Sequence, residues 1–317
     1  VYKRQSQDYP KKKFYKREKD AAKIMGRDDR KYGDHSGNRV LCRFYNHGSI
    51  GDQSSSFSGV YPIGSGHSYI WEFSPVVAAS VVDTNGFRRH IVSDGISGLV
   101  DASPEGTPWS FEPLSGYSNP NQENLAMSDN ENSWPNSWPN RTEDWNGEWN
   151  GQYGKYVRAD QESYFVVDDR YNSEFEFWPD QNDIPEDPTV SPDEHRRGLG
   201  IEMEARGYQW NHPAAEDIII VTYWITNVGS SVLDSVVFGM YGDADIGGAS
   251  SFSDDDAWFD TENDMVYQWD HDNWSSSYGG FRPAYFGWSF LESPGNPHDG
   301  IDNDGDGNGE SPNPNLY

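Results

Sequence analysis

Residues 198–248 read GLGIEMEARGYQWNHPAAEDIIIVTYWITNVGSSVLDSVVFGMYGDADIGG, and three strands can be traced in them. From Ile201 the apolar Ile201, Met203 and Ala205 alternate with Glu202, Glu204 and Arg206, which predicts a strand with one buried and one wet face. Asp217 to Asn227 is different. Ile219, Val221, Tyr223 and Ile225 occupy one face and Ile218, Ile220, Thr222 and Trp224 the other, the pattern of a central strand covered on both sides. Asn227-Val-Gly-Ser-Ser231 supplies turn residues. Val232 to Tyr241 then rises again and ends in Gly242-Asp243-Ala244-Asp245, an acidic loop capping a core strand.

Working outward, the same signals recur. Val40, Cys42 and Phe44 alternate with Leu41, Arg43 and Tyr45. Tyr69–Phe73, Val76–Val82 and His90–Val92 read as further strands, with Asp83-Thr-Asn-Gly86 as a hairpin turn. Ser163–Val167, Met265–Asp270 and Ala284–Leu291 complete the set. The chain is therefore expected to be all-β: an antiparallel β-sandwich with long ordered loops and an extended basic N-terminal arm. The expected divisions are the arm at 1–38, the sandwich at 39–291 and an acidic tail at 292–317. Residues 101–152 form a Pro-, Asn-, Ser- and Trp-rich loop. Trp109, Trp134, Trp138, Trp145 and Trp149 argue that it packs against something.

The 317 residues are enough for a sizeable core, and the 15% of aromatics against 34% of hydrophobic residues predicts a core of few, large side chains. Mean hydropathy is −0.89, so much of the chain is loop. The single cysteine, Cys42, excludes an internal disulfide framework and reads as a small core residue. The net charge of −28 hides a division: the 24 Lys and Arg and 52 Asp and Glu split as 14 against 6 up to Arg43 and 10 against 46 beyond it. A basic arm on an acidic body can bind its own body, a neighbouring copy or a separate polyanion. The acidic body repels nucleic acid, which needs a basic surface. No apolar run approaches the ~20 residues of a bilayer span, so no membrane insertion is expected. The opening residues hold no apolar signal core, so a leader has been removed or never existed.

The sharpest local signal is Asp299-Gly-Ile-Asp-Asn-Asp-Gly-Asp-Gly-Asn-Gly-Glu310. Asp302, Asp304 and Asp306 at every second position, followed by Gly307, gather carboxylates around one point where the chain turns. Ca²⁺ takes six to eight such oxygens, and the Asn308 carbonyl, Glu310 and Asp299 extend the set. The twelfth position is not acidic, so the match to an EF-hand is partial. A second acidic set, Asp243, Asp245, Asp254 and Asp255 with Asp256 and Asp260, surrounds a Gly/Ser loop, and Asp270-His271-Asp272 follows the next strand. Crowded carboxylates invite a divalent ion or are simply solvated. Asp168 and Asp169 are weaker candidates of the same kind. No catalytic motif stands out: there is no Gly-x-Ser-x-Gly elbow, no His-Glu-x-x-His and no phosphate loop, and His271 and His298 read as surface or turn residues. Trp134, Trp138, Trp145 and Trp149 either pack the loop or line a sugar-binding groove. Asn140-Arg-Thr142 and Asn273-Trp-Ser275 fit the glycosylation sequon.

Several phrases, WNGQYGKY, ADQESYFVVDD, EFEFWPD, RGLGIEMEARGYQW and above all FLESPGNPHDGIDNDGDG, resemble the large secreted surface proteins of Bacteroidota and neighbouring phyla, many of which carry a C-terminal type IX sorting domain. FYNHGSIGD near residue 44 resembles the opening of such proteins. The resemblance covers most of residues 40–310. It implies export, an extracellular β-rich build and a calcium-loop-like segment, and supplies no catalytic residues; Asn308-Gly309-Glu310 departs from the family's usual continuation. The resulting expectation is a non-enzymatic, extracellular or cell-surface structural subunit. Its copies are held by contacts of the basic arm with the acidic body and by Ca²⁺. The alternative is a secreted glycan-binding or glycan-cleaving module.

Overall fold

The computed structural model describes residues 29–51, 58–97, 102–104, 106, 109–182, 184, 195–248 and 251–291. The protein is all-β and every ladder between named strands is antiparallel. Two compact units divide the chain between Ala244 and Asp245, whereas the sequence expectation drew one domain over 39–291.

In the larger unit, β1 (Tyr32–His35) pairs β2 (Cys42–Tyr45), and Ile50 bridges Phe44 of β2 to Phe73 of β3 (Glu72–Val82). β3 pairs β4 (Arg88–Asp94) on one side and β10 (Asp234–Asp243) on the other. The second sheet runs β5 (Glu112–Pro113), β7 (Gln161–Asp168), β8 (Ile201–Gln209), β9 (Ile220–Asn227), with β6 (Ala126–Met127) also on β7. The sheets face each other as a sandwich. His35 Nε2 lies 2.8 Å from Ser163 Oγ, and the Tyr223 and Phe238 rings meet at 5.3 Å. At Gly207 the layers come so close that a Cβ would stand 2.6 Å from His35 Nε2 and 2.8 Å from Phe44 Cε2 and from Ser163 Oγ.

Local chemistry shapes the elements. The turn at Asp83–Gly86 is held by the Asp83 carboxylate, which accepts from the Asn85 and Phe87 amides, and Gly86 takes the positive φ of 81°. The two strands expected at 69–73 and 76–82 are largely one, β3. Pro75 interrupts only the donor pattern, and its carbonyl accepts from Gly95 N. Cys42 is fully buried, and desolvation pushes its thiol up to about 12. His35 is fully buried too, and burial holds its pKa down to about 3.

Two expectations are corrected. Residues 29–38 belong to the body and not to a free arm: Tyr32–His35 form β1, Arg30 pairs with Glu112 at 2.7 Å and Arg43 with Asp34 at 2.7 Å. Alternation of Tyr32 and Asp34 with Gly33 and the core His35 makes this a strand in spite of its charge. Residues 1–28 lie outside the described residues. The second correction concerns β9, an edge strand with Trp224 41% exposed, while all eight residues of β7 are buried.

The loop expected at 101–152 folds, over most of its length, across the outer face of β7 and β8. Trp138 meets Trp149 at 6.0 Å and Tyr164 at 5.8 Å, and Trp134 meets Trp149 at 5.4 Å. Leu114, Tyr117, Ala126, Val166 and Tyr171 complete this cluster, with Trp145 packed against it. Arg206, 2% exposed, stacks 3.8 Å over the Tyr164 ring and donates to the Asn150 carbonyl. Burial of each large aromatic contributes on the order of 3 kcal/mol.

Candidate metal centre

The second unit is built on a three-stranded sheet, β11 (Asp255–Asp260), β12 (Met265–Asp270) and β13 (Phe286–Ser289). Its first hairpin turns at 261–264, where Asp260 caps the chain by accepting from the Glu262 and Asn263 amides and Asp264 takes a positive φ of 47°. Counting back along the ladder places Asp255 directly opposite Asp270. Like charges in this position repel.

Three carboxylates from two segments converge there. Asp254 ends a 3-10 turn (Phe252–Asp254), Asp270 ends β12 and Asp272 follows it, and one oxygen from each lies within 4.8 Å of the others. Two oxygens on opposite sides of a Ca²⁺ held at ~2.3–2.6 Å stand about 5 Å apart, so the spacing suits one shared ion. Asp270 is 3% exposed and fixed by Ser251 Oγ and Trp274 N, each at 2.7 Å. Asp255 accepts from Ile246 N through Oδ2, while its Oδ1 is buried with no hydrogen-bond partner. Desolvation pushes the Asp255 carboxyl up to about 7, with the charges of Asp270, Asp245 and Asp254 adding to the shift. A buried acceptor without a donor, beside three more carboxylates, is chemically incomplete without a cation or a proton. All the donors are hard oxygens, which favours Ca²⁺ over softer metals.

The sequence-predicted ligands fall into three groups. Asp254 and Asp255 meet, with Asp245 near enough to act on Asp255 electrostatically. Asp243 closes β10 in the larger unit, where its carboxylate accepts from the Tyr241 hydroxyl at 3.3 Å. Asp299, Asp302, Asp304, Asp306, Asn308 and Glu310 lie outside the described residues, as does His298. Asp270 and Asp272 join the cluster through hairpin register, a signal available by pairing residues across the 261–264 turn. His271 is used elsewhere: its Nδ1 pairs with Asp256 at 2.7 Å, which raises its pKa.

The other candidates are occupied. Asp168 pairs with Arg170 and Arg196 at 3.2 and 2.8 Å. The fully buried Asp169 accepts from Ser93 Oγ, Leu199 N and Ile201 N, and desolvation pushes it up to about 6 against the charge of Arg196. Trp138 and Trp149, each 2% exposed, are core residues and Trp134 and Trp145 pack against them, so of the two readings of the four loop tryptophans packing holds and the alternative of an open groove does not. The Asn140 side chain is engaged with the Tyr164 hydroxyl and the Asn150 amide.

The chain matches no protein-family model, no curated protein and no solved structure at a significant level.

Proposed function

We propose that the protein is a non-enzymatic, calcium-stabilised structural subunit of an extracellular or cell-surface assembly. The observation that carries this reading is the cluster of Asp254, Asp270 and Asp272, with Asp255, whose buried Oδ1 has no hydrogen-bond partner, opposite Asp270 in the ladder. A site made mostly of exposed carboxylates suits the weak, ~10⁻⁴–10⁻³ M range of extracellular calcium modules. That range also fits an outside location better than an inside one. The charge division supplies the means of assembly. Residues 1–28 hold ten Lys and Arg against four Asp and Glu, while the chain beyond Arg43 is strongly acidic. The basic segment of one copy lies along the acidic body of the next, a head-to-tail contact that propagates. Calcium adds bridges and screens the repulsion between bodies.

Two measurements test the two parts. Calcium added at 100 times its Kd stabilises the folded state by about 2.7 kcal/mol, so chelation lowers Tm, and Asp270→Asn removes most of that shift. An unchanged Tm on chelation makes the acidic loops merely solvated. Assembly size, measured by light scattering, falls on deletion of residues 1–28 and at high salt. Equal size in both conditions removes the arm from the account.

A further inference from the structure

We propose that the outer face of the second sheet carries a pocket for a single pyranose ring, walled by Trp210, Tyr153 and Arg158. The ladder sets its floor: Glu162 of β7 stands opposite Tyr208 of β8, and Tyr208 opposite Ile220 of β9, all on the side away from the sandwich interior. The chain beyond Trp149 brings Gln152, Tyr153 and Arg158 over that floor, enclosing a cavity of ≈ 240 Å³. This is below the ~300–1,000 Å³ of drug-sized sites, which limits the occupant to about one ring.

The lining has two kinds of surface. Tyr208 and Trp210, two residues apart and on the same side, stack with centroids 5.7 Å apart and planes within 14°. Across from them the Arg158 guanidinium lies 4.5 Å over the half-exposed Tyr153 ring. The polar atoms are unequally spent. Both oxygens of Glu162 are taken, by Trp149 Nε1 at 2.7 Å and by the Arg158 and Ala159 amides at 2.6 and 3.1 Å. Gln152 Oε1 accepts from the Tyr208 hydroxyl at 2.7 Å. What is left to offer a ligand is the Gln152 amide, the Arg158 guanidinium, which spends one nitrogen on the Tyr156 hydroxyl, and the Thr222 hydroxyl, which has no hydrogen-bond partner.

Flat aromatic surface beside spare N–H donors matches a sugar ring, whose C–H face is apolar and whose rim carries acceptor oxygens. The base of a nucleotide offers a similar face, but the nucleotide's phosphates meet the acidic body. Of the tryptophans that suggested sugar binding in the sequence, Trp138 and Trp149 are core residues and Trp134 and Trp145 are partly buried against them. The pocket instead uses Trp210, which stood outside that group.

The test is calorimetry and saturation-transfer NMR on the full chain with glucose, galactose, N-acetylglucosamine and glucuronate, and with β-linked dimers of the first two. The expected result is binding of at least one of them, weakened about tenfold or more by Trp210→Ala. Trp210→Phe, which keeps the stack on Tyr208 and so protects the fold, weakens binding by a smaller factor. Trp258→Ala, in the other unit, leaves it unchanged. A stronger response to glucuronate than to glucose supports the site and assigns its carboxylate to Arg158. Binding of none of these sugars, or binding that Trp210→Ala and Trp258→Ala alter equally, overturns the proposal.

Discussion

β7 and β9 lie in one sheet with β8 between them, and their sequences point the wrong way. β7, QESYFVVD, is half polar, yet every residue in it is buried. β9, IVTYWITN, is mostly apolar or β-branched, yet it forms the open edge. The difference lies in partners. Each polar group of β7 meets a group brought by another segment: Gln161 accepts from Ser36 and Gly37 amides, Glu162 from Trp149 and two amides, Ser163 meets His35, and Asp168 meets two arginines. A buried polar side chain so satisfied carries little penalty, while the same residue unpaired costs about 1–3 kcal/mol. Hydropathy alone therefore reports which faces tolerate burial, and the loop at 109–152 decides which face receives it.

The comparison breaks most visibly under truncation. Tyr164→Ala on β7 should cost ~3–5 kcal/mol, because Trp138, Tyr117 and Arg206 lose the ring they pack on. Trp224→Ala on β9, equally aromatic by sequence, should cost about 1 kcal/mol or less. Urea denaturation of both variants measures the contrast, and equal costs would contradict the assignment of centre and edge. Next in size is Glu162→Gln, which keeps the shape but replaces an ionised acceptor facing three donors. A loss of about 1–3 kcal/mol is expected, against a near-neutral Thr226→Ala on β9.

Smallest per step is a pH effect read at the face where β1 meets β7. His35 is held neutral, with its folded pKa near 3 against 6.5 when unfolded, so the unfolded chain binds the extra proton between these values. Its contribution is complete above pH 6.5 and is lost as pH falls toward about 3, at about 1.4 kcal/mol per pH unit. Asp169 acts in the opposite sense. Its raised pKa makes the folded state bind more protons between 3.8 and about 6, so its own contribution rises as pH falls through that window. Subtracting the wild-type stability curve from that of His35→Gln cancels the Asp169 part. The variant should gain on the wild type steadily as pH falls from 6.5 to about 3, and parallel curves would mean that His35 titrates normally.

Much of the sandwich was legible in residues 198–248. The alternation Ile201, Met203, Ala205 correctly marks the inner face of β8, and the Asp83–Gly86 turn lies where its residues predict. β9 was misplaced because two apolar faces look alike whether a neighbour strand covers them or not. The place of residues 29–38 in the body was hidden by charge, since Arg30, Lys31 and Asp34 read as solvated arm until Glu112, Asn119 and Arg43 are seen beside them. At the metal centre, the density of aspartates between 243 and 260 is visible in one dimension. Which of them converge is a property of hairpin register, and this brings in Asp270 and Asp272. The aromatic pocket was not legible at all, because Gln152, Arg158, Glu162, Tyr208 and Thr222 come together only across three strands and a loop.

Gly207 has a wider reach than its size suggests. Sliding β8 by one position would thrust Arg206 or Tyr208 into a gap that has no room even for a methyl group, between His35, Phe44 and Ser163. A missing side chain thus works as a lock on alignment. By fixing which residue sits at the narrowest point, it also fixes that Tyr208 and Trp210 look outward, so one hydrogen atom in the interior governs what the protein displays on its exterior.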